Sequence, residues 1–344
     1  MDLQNIDWAG LDFSYKKTPY RYKACWKDGE WQEGSLVTDN HIAIPESAPA
    51  LHYGQQCFEG LKAKRSKSGE ILLFRPEENA KRLQNSAERL AMPKVPQDKF
   101  LKAVKSTVRA NSEYVPPYGQ GASMYIRPLL IGVGDNLGLK PAREYLFTVF
   151  VVPVGPYFKE GFKPVSMKID TRFDRSAPRG MGDVKVGGNY AAGLLPQKEA
   201  KEEGYNEVIY LDSTEHQYFE EAGGANLIFI FEDSTLATPK SKAILPSITR
   251  RSIMEIAQSD FDLDVEHREI HVDEIENIKE AGACGTAAVI TPIGMIHYQG
   301  TDYKFYKEGQ EPGPITTELY NHLTKLQVGD IEDSRNWLEK IEID

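Results

Sequence analysis

The chain has 344 residues, 40% of them hydrophobic and 27% charged, with a formal net charge of -10. That is the mixture of a water-soluble globular protein, long enough for two domains and a large core. The acidic balance excludes a broad nucleic-acid-binding face, and no apolar run approaches the roughly 20 residues that span a bilayer. The start, MDLQNIDWAG, is polar and unlike a secretory leader. Three scattered cysteines, Cys25, Cys57 and Cys284, fit neither a disulfide framework nor a zinc site. A cytoplasmic protein is expected.

In chain order, Tyr20, Tyr22, Ala24 and Trp26 alternate with Arg21, Lys23, Cys25 and Lys27 before Asp28-Gly29, predicting a strand that enters a hairpin turn. Glu70–Phe74 reads as a strand, and 76–92 as a helix with Leu83, Ala87 and Leu90 on one face. Phe100, Leu101, Val104 and Val108 mark a second helix. Ser123–Val133 and Tyr145–Val154 read as central strands. The proline- and glycine-rich stretch 153–164 is the expected linker, dividing a small α/β domain, 1–152, from a larger one, 165–344. In the second domain, strands are expected at Val208–Leu211, Leu227–Phe231 and Ala287–Thr291, and helices at Ile248–Gln258, Asp273–Ala281 and Thr316–Leu326. Pro196 conflicts with a helix starting at Tyr190, because an interior proline removes a donor and clashes with the preceding turn.

Three segments carry chemistry. Gly180–Tyr190 packs four glycines around Lys185. Glycine lets a ligand approach the backbone, and a lysine desolvated there is nucleophilic, although the same pattern suits a surface loop with a solvated lysine. Glu220 and Glu221 precede a small-residue turn, 222–225, and an apolar strand; either acid can be functional, or they merely end an element. Arg82 on the first helix, the helix start at Ser247-Ile248-Thr249 and the turn at Thr286 are anion ligands in kind, each weak alone. Together they form a set. Pyridoxal phosphate needs a lysine for a Schiff base, a partner for its ring nitrogen, an anion site for its phosphate and a hydroxyl beside its phenolic oxygen. Lys185, Glu221, the Arg82/Thr249/Thr286 group and Tyr190 can fill those roles.

Longer motifs narrow the reading. Leu51-His-Tyr-Gly-Gln-Gln-Cys-Phe-Glu-Gly-Leu-Lys62, Leu73-Phe-Arg-Pro76, Tyr125-Ile-Arg-Pro128, Lys185-Val-Gly-Gly-Asn-Tyr190 and Gly285-Thr-Ala287 occur in order. From about Lys17 to near the C-terminus the chain resembles the branched-chain amino-acid aminotransferases of pyridoxal-phosphate fold type IV. The resemblance implies an α/β (α+β) fold of two domains with the cofactor between them, and a homodimer sharing its active sites. It implies that Lys185 is the catalytic residue and carries the cofactor, that Tyr190 bonds the phenolic oxygen, and that Glu221 rather than Glu220 pairs with the ring nitrogen. Arg82, backbone N–H groups at Ile248 and Thr249, and Thr286 would hold phosphate. Tyr53 and Ala287 would receive the substrate carboxylate; Phe58, Tyr125 and Tyr157 would wall an apolar pocket, supported by Arg127. Leu137 and Leu139 would reach that pocket from a partner subunit. Some members carry a hydroxyl where Gly224 stands, and the redox Cys-x-x-Cys of vertebrate members is replaced at Ala288 and Thr291. The implied reaction is ping-pong transamination of L-leucine, L-isoleucine and L-valine with 2-oxoglutarate. A D-amino-acid aminotransferase or an aminodeoxychorismate lyase of the same fold is the nearest alternative, and a non-catalytic cofactor or phosphate carrier a more distant one. The chain length and the 51–62 motif argue against the first two. The carrier would not need Lys185, Tyr190 and Glu221 together.

Overall fold

The computed structural model describes residues 6–155 and 162–343. Tyr157 and half of the expected linker, 156–161, lie outside the described residues. The chain divides into two compact units, Met1–Lys159 with Val184–Gly187 and Lys325–Asp344, and Glu160–Asp183 with Gly188–Thr324. The division is therefore not the single cut expected near 153–164. The lysine segment and the C-terminal tail belong to the first unit.

The first unit is built on an antiparallel sheet whose main path runs Leu338–Ile341, Ile71–Phe74, Leu61–Arg65, Ser123–Gly132, Tyr145–Val154, Arg21–Lys27, Glu30–Trp31. The expected hairpin is present: Trp26 pairs with Trp31 and Lys27 with Glu30. Asp28 and Gly29 between them take φ of 54° and 91°, the left-handed pair that matches strand twist in a two-residue turn. The last strand arrives from the far end of the sequence, pairing Leu338 with Phe74 and Ile341 with Ile71. No local pattern near residue 340 reports that destination. Helices Pro76–Arg89 and Gln97–Ala110 bury Leu83, Ala87, Phe100, Val104 and Val108. Each carries an acid in its first turn and an arginine in its last, complementing the helix dipole.

The second unit holds a mixed sheet in which Phe219–Ala222 pairs with both Glu207–Leu211 and Asn226–Phe231. The path Phe219–Ala222, Glu207–Leu211, Val165–Ile169, Val289–Tyr298, Ile278–Gly285, Asn226–Phe231 thus closes on itself, which satisfies backbone groups that an edge would expose. Every residue of Glu207–Leu211, Phe219–Ala222 and Asn226–Phe231 is buried, so these strands are apolar except at Glu207, Glu220, Glu221 and Asn226.

Two expectations are corrected. The 273–281 helix is a 3-10 turn, Val272–Asn277, followed by the strand Ile278–Gly285. That strand pairs on both sides, with Asn226–Phe231 and Val289–Tyr298, and tertiary pairing overrides a local helical pattern. The strand expected at Ala287–Thr291 begins two residues later, at Val289, because 286–288 form the turn. Pro196 is accommodated by a break at Gly193: one helix ends at Ala192 and the next, Leu194–Glu202, carries the proline in its first turn, where no intrahelical N–H is needed. No helix among the described residues is long and apolar enough to cross a membrane.

Candidate active site

In the first unit, Lys185 follows a turn and precedes the helix Gly187–Ala192. Its backbone is tied down on both sides: its N–H donates to Ser86 Oγ at 2.9 Å and its carbonyl accepts from the Phe58 N–H at 3.1 Å. A lone bridge between Cys57 and Val186 continues that pairing. The half-buried side chain places Nζ 4.9 Å from the centre of the Phe58 ring, an apolar neighbour that limits hydration of the amine.

Arg82 lies nearby in the same unit, on the buried face of its helix and 8% exposed. It is gripped by Glu59, with Nε to Oε1 at 2.7 Å and Nη2 to Oε2 at 2.8 Å. Glu59 is fully buried and also accepts from the side chain of Asn79 at 2.8 Å. Burial pushes the Glu59 carboxyl up, but the charge and hydrogen bonds of Arg82, with the charge of Lys185 and the Asn79 amide, hold it below the usual carboxylate range. Sequence reading passed over Glu59, although it stands inside the 51–62 motif. The signal was available: Asn79 and Arg82 are three residues apart on one helical face, a spacing that converges on a common acceptor.

Arg127 stacks its guanidinium 4.8 Å from the Phe58 ring and 5.3 Å from the Tyr125 ring. Phe58, Tyr125, Arg127 and Lys185 thus form one aromatic and cationic cluster. Tyr53 is 43% exposed at the end of the short helix Pro49–Tyr53, with its hydroxyl donating to the Leu137 carbonyl at 2.6 Å. Leu137 and Leu139 are 86% and 85% exposed, so within this chain they wall nothing.

In the second unit, Glu220 and Glu221 sit side by side on the strand Phe219–Ala222 and point to opposite faces. Their surroundings separate them. Glu221, 3% exposed, meets Arg175 Nη1 at 2.7 Å, the Asn226 amide at 2.8 Å and the Leu245 N–H at 2.8 Å. Glu220 accepts from Ser241 Oγ at 2.7 Å, and burial first, then the neighbouring Glu221 charge, pushes its carboxyl up to about 7. One acid is ion-paired with a guanidinium; the other is buried and raised well above the usual carboxylate range.

The hairpin bend 223–225, with Gly224, and the turn 286–288, with Thr286 and Ala287, lie at the same end of adjacent strands, because Asn226 pairs with Cys284. Val289 closes the second turn at φ 64°, a left-handed backbone that costs a β-branched residue about 1–3 kcal/mol. The helix Ile248–Asp260 begins as expected: Ser247 Oγ accepts the Arg250 N–H at 3.2 Å, leaving Ile248 and Thr249 at the positions whose N–H groups have no intrahelical acceptor. Tyr190 lies half-buried in the helix Gly187–Ala192, whose Asn189 amide donates to the Met181 carbonyl at 2.6 Å. A lysine with a constrained backbone, a buried ion-paired carboxylate and an anion-ready helix start are the donor set that pyridoxal phosphate requires.

Residues 56–296 match the family described as Amino-transferase class IV. The chain is 53% identical to a branched-chain-amino-acid aminotransferase of Helicobacter pylori over 99% of each chain. It is 50% identical to that of Haemophilus influenzae over 99% of this chain and 100% of the relative. Among solved structures, it superposes on the branched-chain amino acid aminotransferase of Escherichia coli with a TM-score of 0.75, at 28% identity, covering 93% of this chain and 99% of that one. The branched-chain amino acid aminotransferase of Thermobaculum terrenum, in its PLP-bound holo form, gives a TM-score of 0.79 at 25% identity, covering 95% and 100%. The chain belongs to the class IV aminotransferases and, within them, to the branched-chain-amino-acid aminotransferases.

Proposed function

We propose that the protein is a pyridoxal-phosphate-dependent transaminase that moves the amino group of L-leucine, L-isoleucine or L-valine to 2-oxoglutarate, reversibly and by a ping-pong sequence. The observation that carries this reading is a lysine whose backbone is fixed between Ser86 and Phe58 in the first unit, with a buried, ion-paired Glu221 within the second, in a chain whose relatives named for this activity match it over nearly its whole length. Pyridoxal phosphate, when bound, supplies the electron sink that makes the α-proton of an amino acid removable. Lys185 Nζ would hold the cofactor and, when free, would act as the base that takes the α-proton and delivers it to the cofactor's carbonyl carbon. Glu221 would hold the ring nitrogen, and Tyr190 the phenolic oxygen. By the family resemblance, Arg82, the N–H groups of Ile248 and Thr249, Thr286 and Gly224 would hold the phosphate.

For substrate, the family resemblance implies that Ala287 and Tyr53 would each serve the α-carboxylate, and that Phe58 and Tyr125 would wall an apolar side chain. Burying leucine there contributes roughly 1.5–3 kcal/mol, about ten- to a hundredfold over a very small side chain. Arg127, a cation between two rings, meets the distal carboxylate of glutamate when the second half-reaction runs. The exposure of Leu137 and Leu139 suits a homodimer in which these residues complete the partner's pocket. Three free thiols suit work in the cytoplasm.

The test is keto-acid formation from an amino-donor panel with 2-oxoglutarate at matched concentrations. The three branched-chain L-amino acids react well, L-aspartate poorly, and D-alanine not at all. D-alanine outpacing L-leucine would end the branched-chain reading and leave the cofactor reading standing.

A further inference from the structure

Arg175 has no motif around it, yet it occupies a junction in the second unit. Its Nη1 lies 2.7 Å from Glu221 Oε1, 3.1 Å from the Ala243 carbonyl and 3.5 Å from the Gly182 carbonyl. The side chain is 3% exposed. Gly182 brings its chain against this site because it lacks a side chain: a Cβ there would stand 1.9 Å from the Ala243 carbonyl oxygen. The segment leading to Lys185, the segment 241–245 and the strand carrying Glu221 therefore meet at one guanidinium. Arg175 brings a charge to the Glu221 carboxylate, which also accepts from the neutral Asn226 amide and the Leu245 N–H.

We propose that Arg175 is a positioning residue for Glu221: it orients the carboxylate, keeps it charged, and fixes it to the backbone at Gly182 and Ala243. The inference rests on Glu221 being the partner of the cofactor's ring nitrogen. Charge position decides the outcome. A cation in contact with a carboxylate disfavours protonation of that carboxylate, so a proton shared between Glu221 and a ring nitrogen is driven to the nitrogen. Buried without Arg175, the carboxylate would more readily take the proton itself, and the ring would withdraw electrons less well. Other groups acting on this carboxylate are Glu220, its strand neighbour; Arg250, on the helix Ile248–Asp260; and Cys284, on the strand Ile278–Gly285.

The experiment compares the wild-type holoenzyme with Arg175→Gln, Arg175→Lys and Glu221→Gln. It measures pyridoxal-phosphate dissociation, the pH titration of the visible cofactor band, kcat and KM for leucine, and melting of the apoenzyme. Arg175→Gln is expected to weaken cofactor binding and lower kcat, each roughly tenfold to a hundredfold, the scale of a hydrogen bond to a charged group. Its titration should shift in the direction of the Glu221→Gln shift, with KM little changed. Arg175→Lys should fall between, since it restores charge but not the planar fork. The Arg175→Gln/Glu221→Gln double variant should be little worse than Glu221→Gln alone, as coupled residues are not additive. A wild-type titration, cofactor affinity and kcat in Arg175→Gln, with only apoenzyme melting lowered, would overturn the proposal. Should Arg175→Gln yield no soluble protein, the same wild-type readings in Arg175→Lys would overturn it. Wild-type behaviour of Glu221→Gln would instead remove the ring-nitrogen assignment beneath it. Failure of that reading and failure of the Arg175 role are thereby distinct.

Discussion

Among the described residues, a buried arginine–carboxylate pair stands in each unit, and the two suit opposite uses. At Glu59–Arg82 the arginine is the group assigned to the cofactor, and a fully buried carboxylate braces it through two hydrogen bonds. At Arg175–Glu221 the carboxylate is the group assigned to the cofactor in the proposed function, and the arginine lies against it at 2.7 Å. The supports also differ. Glu59 is held by side chains from one helix, Asn79 and Arg82, so its geometry is local to a few turns. Glu221 is held by residues 175, 226 and 245, from three separate segments. A buried ion pair adds little net stability over an apolar pair of the same volume, so both are better explained by the charge that each holds ready. Motif reading singled out Arg82 and Glu221 and passed over their partners, Glu59 and Arg175.

The largest expected effect comes from removing a brace outright. Glu59→Ala strands Arg82 in the core and should cost the apoenzyme roughly 3–5 kcal/mol in urea unfolding. Glu59→Leu/Arg82→Met should recover most of that stability while leaving phosphate binding impaired. A double variant with both restored would remove Arg82 from the phosphate site.

A smaller effect separates the neighbouring acids. Glu221→Gln should slow transamination by a factor of ten to a hundred, from about 1.5–3 kcal/mol of lost charged hydrogen bonding, whereas Glu220→Gln changes kcat little. Glu220 should instead show in stability. Its carboxyl is raised from 4.5 to about 7, so between those pH values the folded chain holds more protons than the unfolded one. Stability from this group is thus fully present below pH 4.5 and is lost as pH rises toward 7. Glu220→Gln should flatten that decline in chemical-denaturation curves. Equal kinetic losses in the two variants would erase the distinction between the acids.

The smallest effect concerns the thiols. Cys284 pairs in register beside the bend carrying Gly224, but burial pushes it up to about 12, and burial raises Cys57 as well. With Ala288 and Thr291 in place of thiols, mild peroxide should leave activity unchanged, and a thiol reagent should label only the exposed Cys25 in the native protein. Reversible loss of activity with a disulfide at Cys284 would contradict this.

The sequence by itself determined what depends on nearest neighbours along the chain. Alternation and Asp28-Gly29 specify the first hairpin, the Ser247 hydroxyl specifies a helix start, and the glycine-flanked Lys185 marks the chemistry. It also established the family, because ordered motifs survive as strings. The tertiary structure decided whatever depends on residues far apart in the chain. Strand 278–285 overrode a helical pattern because it gained partners on both sides. The C-terminal strand returned to pair with Ile71–Phe74. The choice between Glu220 and Glu221 as the held charge depends on a guanidinium more than forty residues upstream, brought to 2.7 Å from one carboxylate and not the other. Local pattern encodes the backbone's immediate hydrogen bonds; burial and charge pairing exist only after the chain has closed.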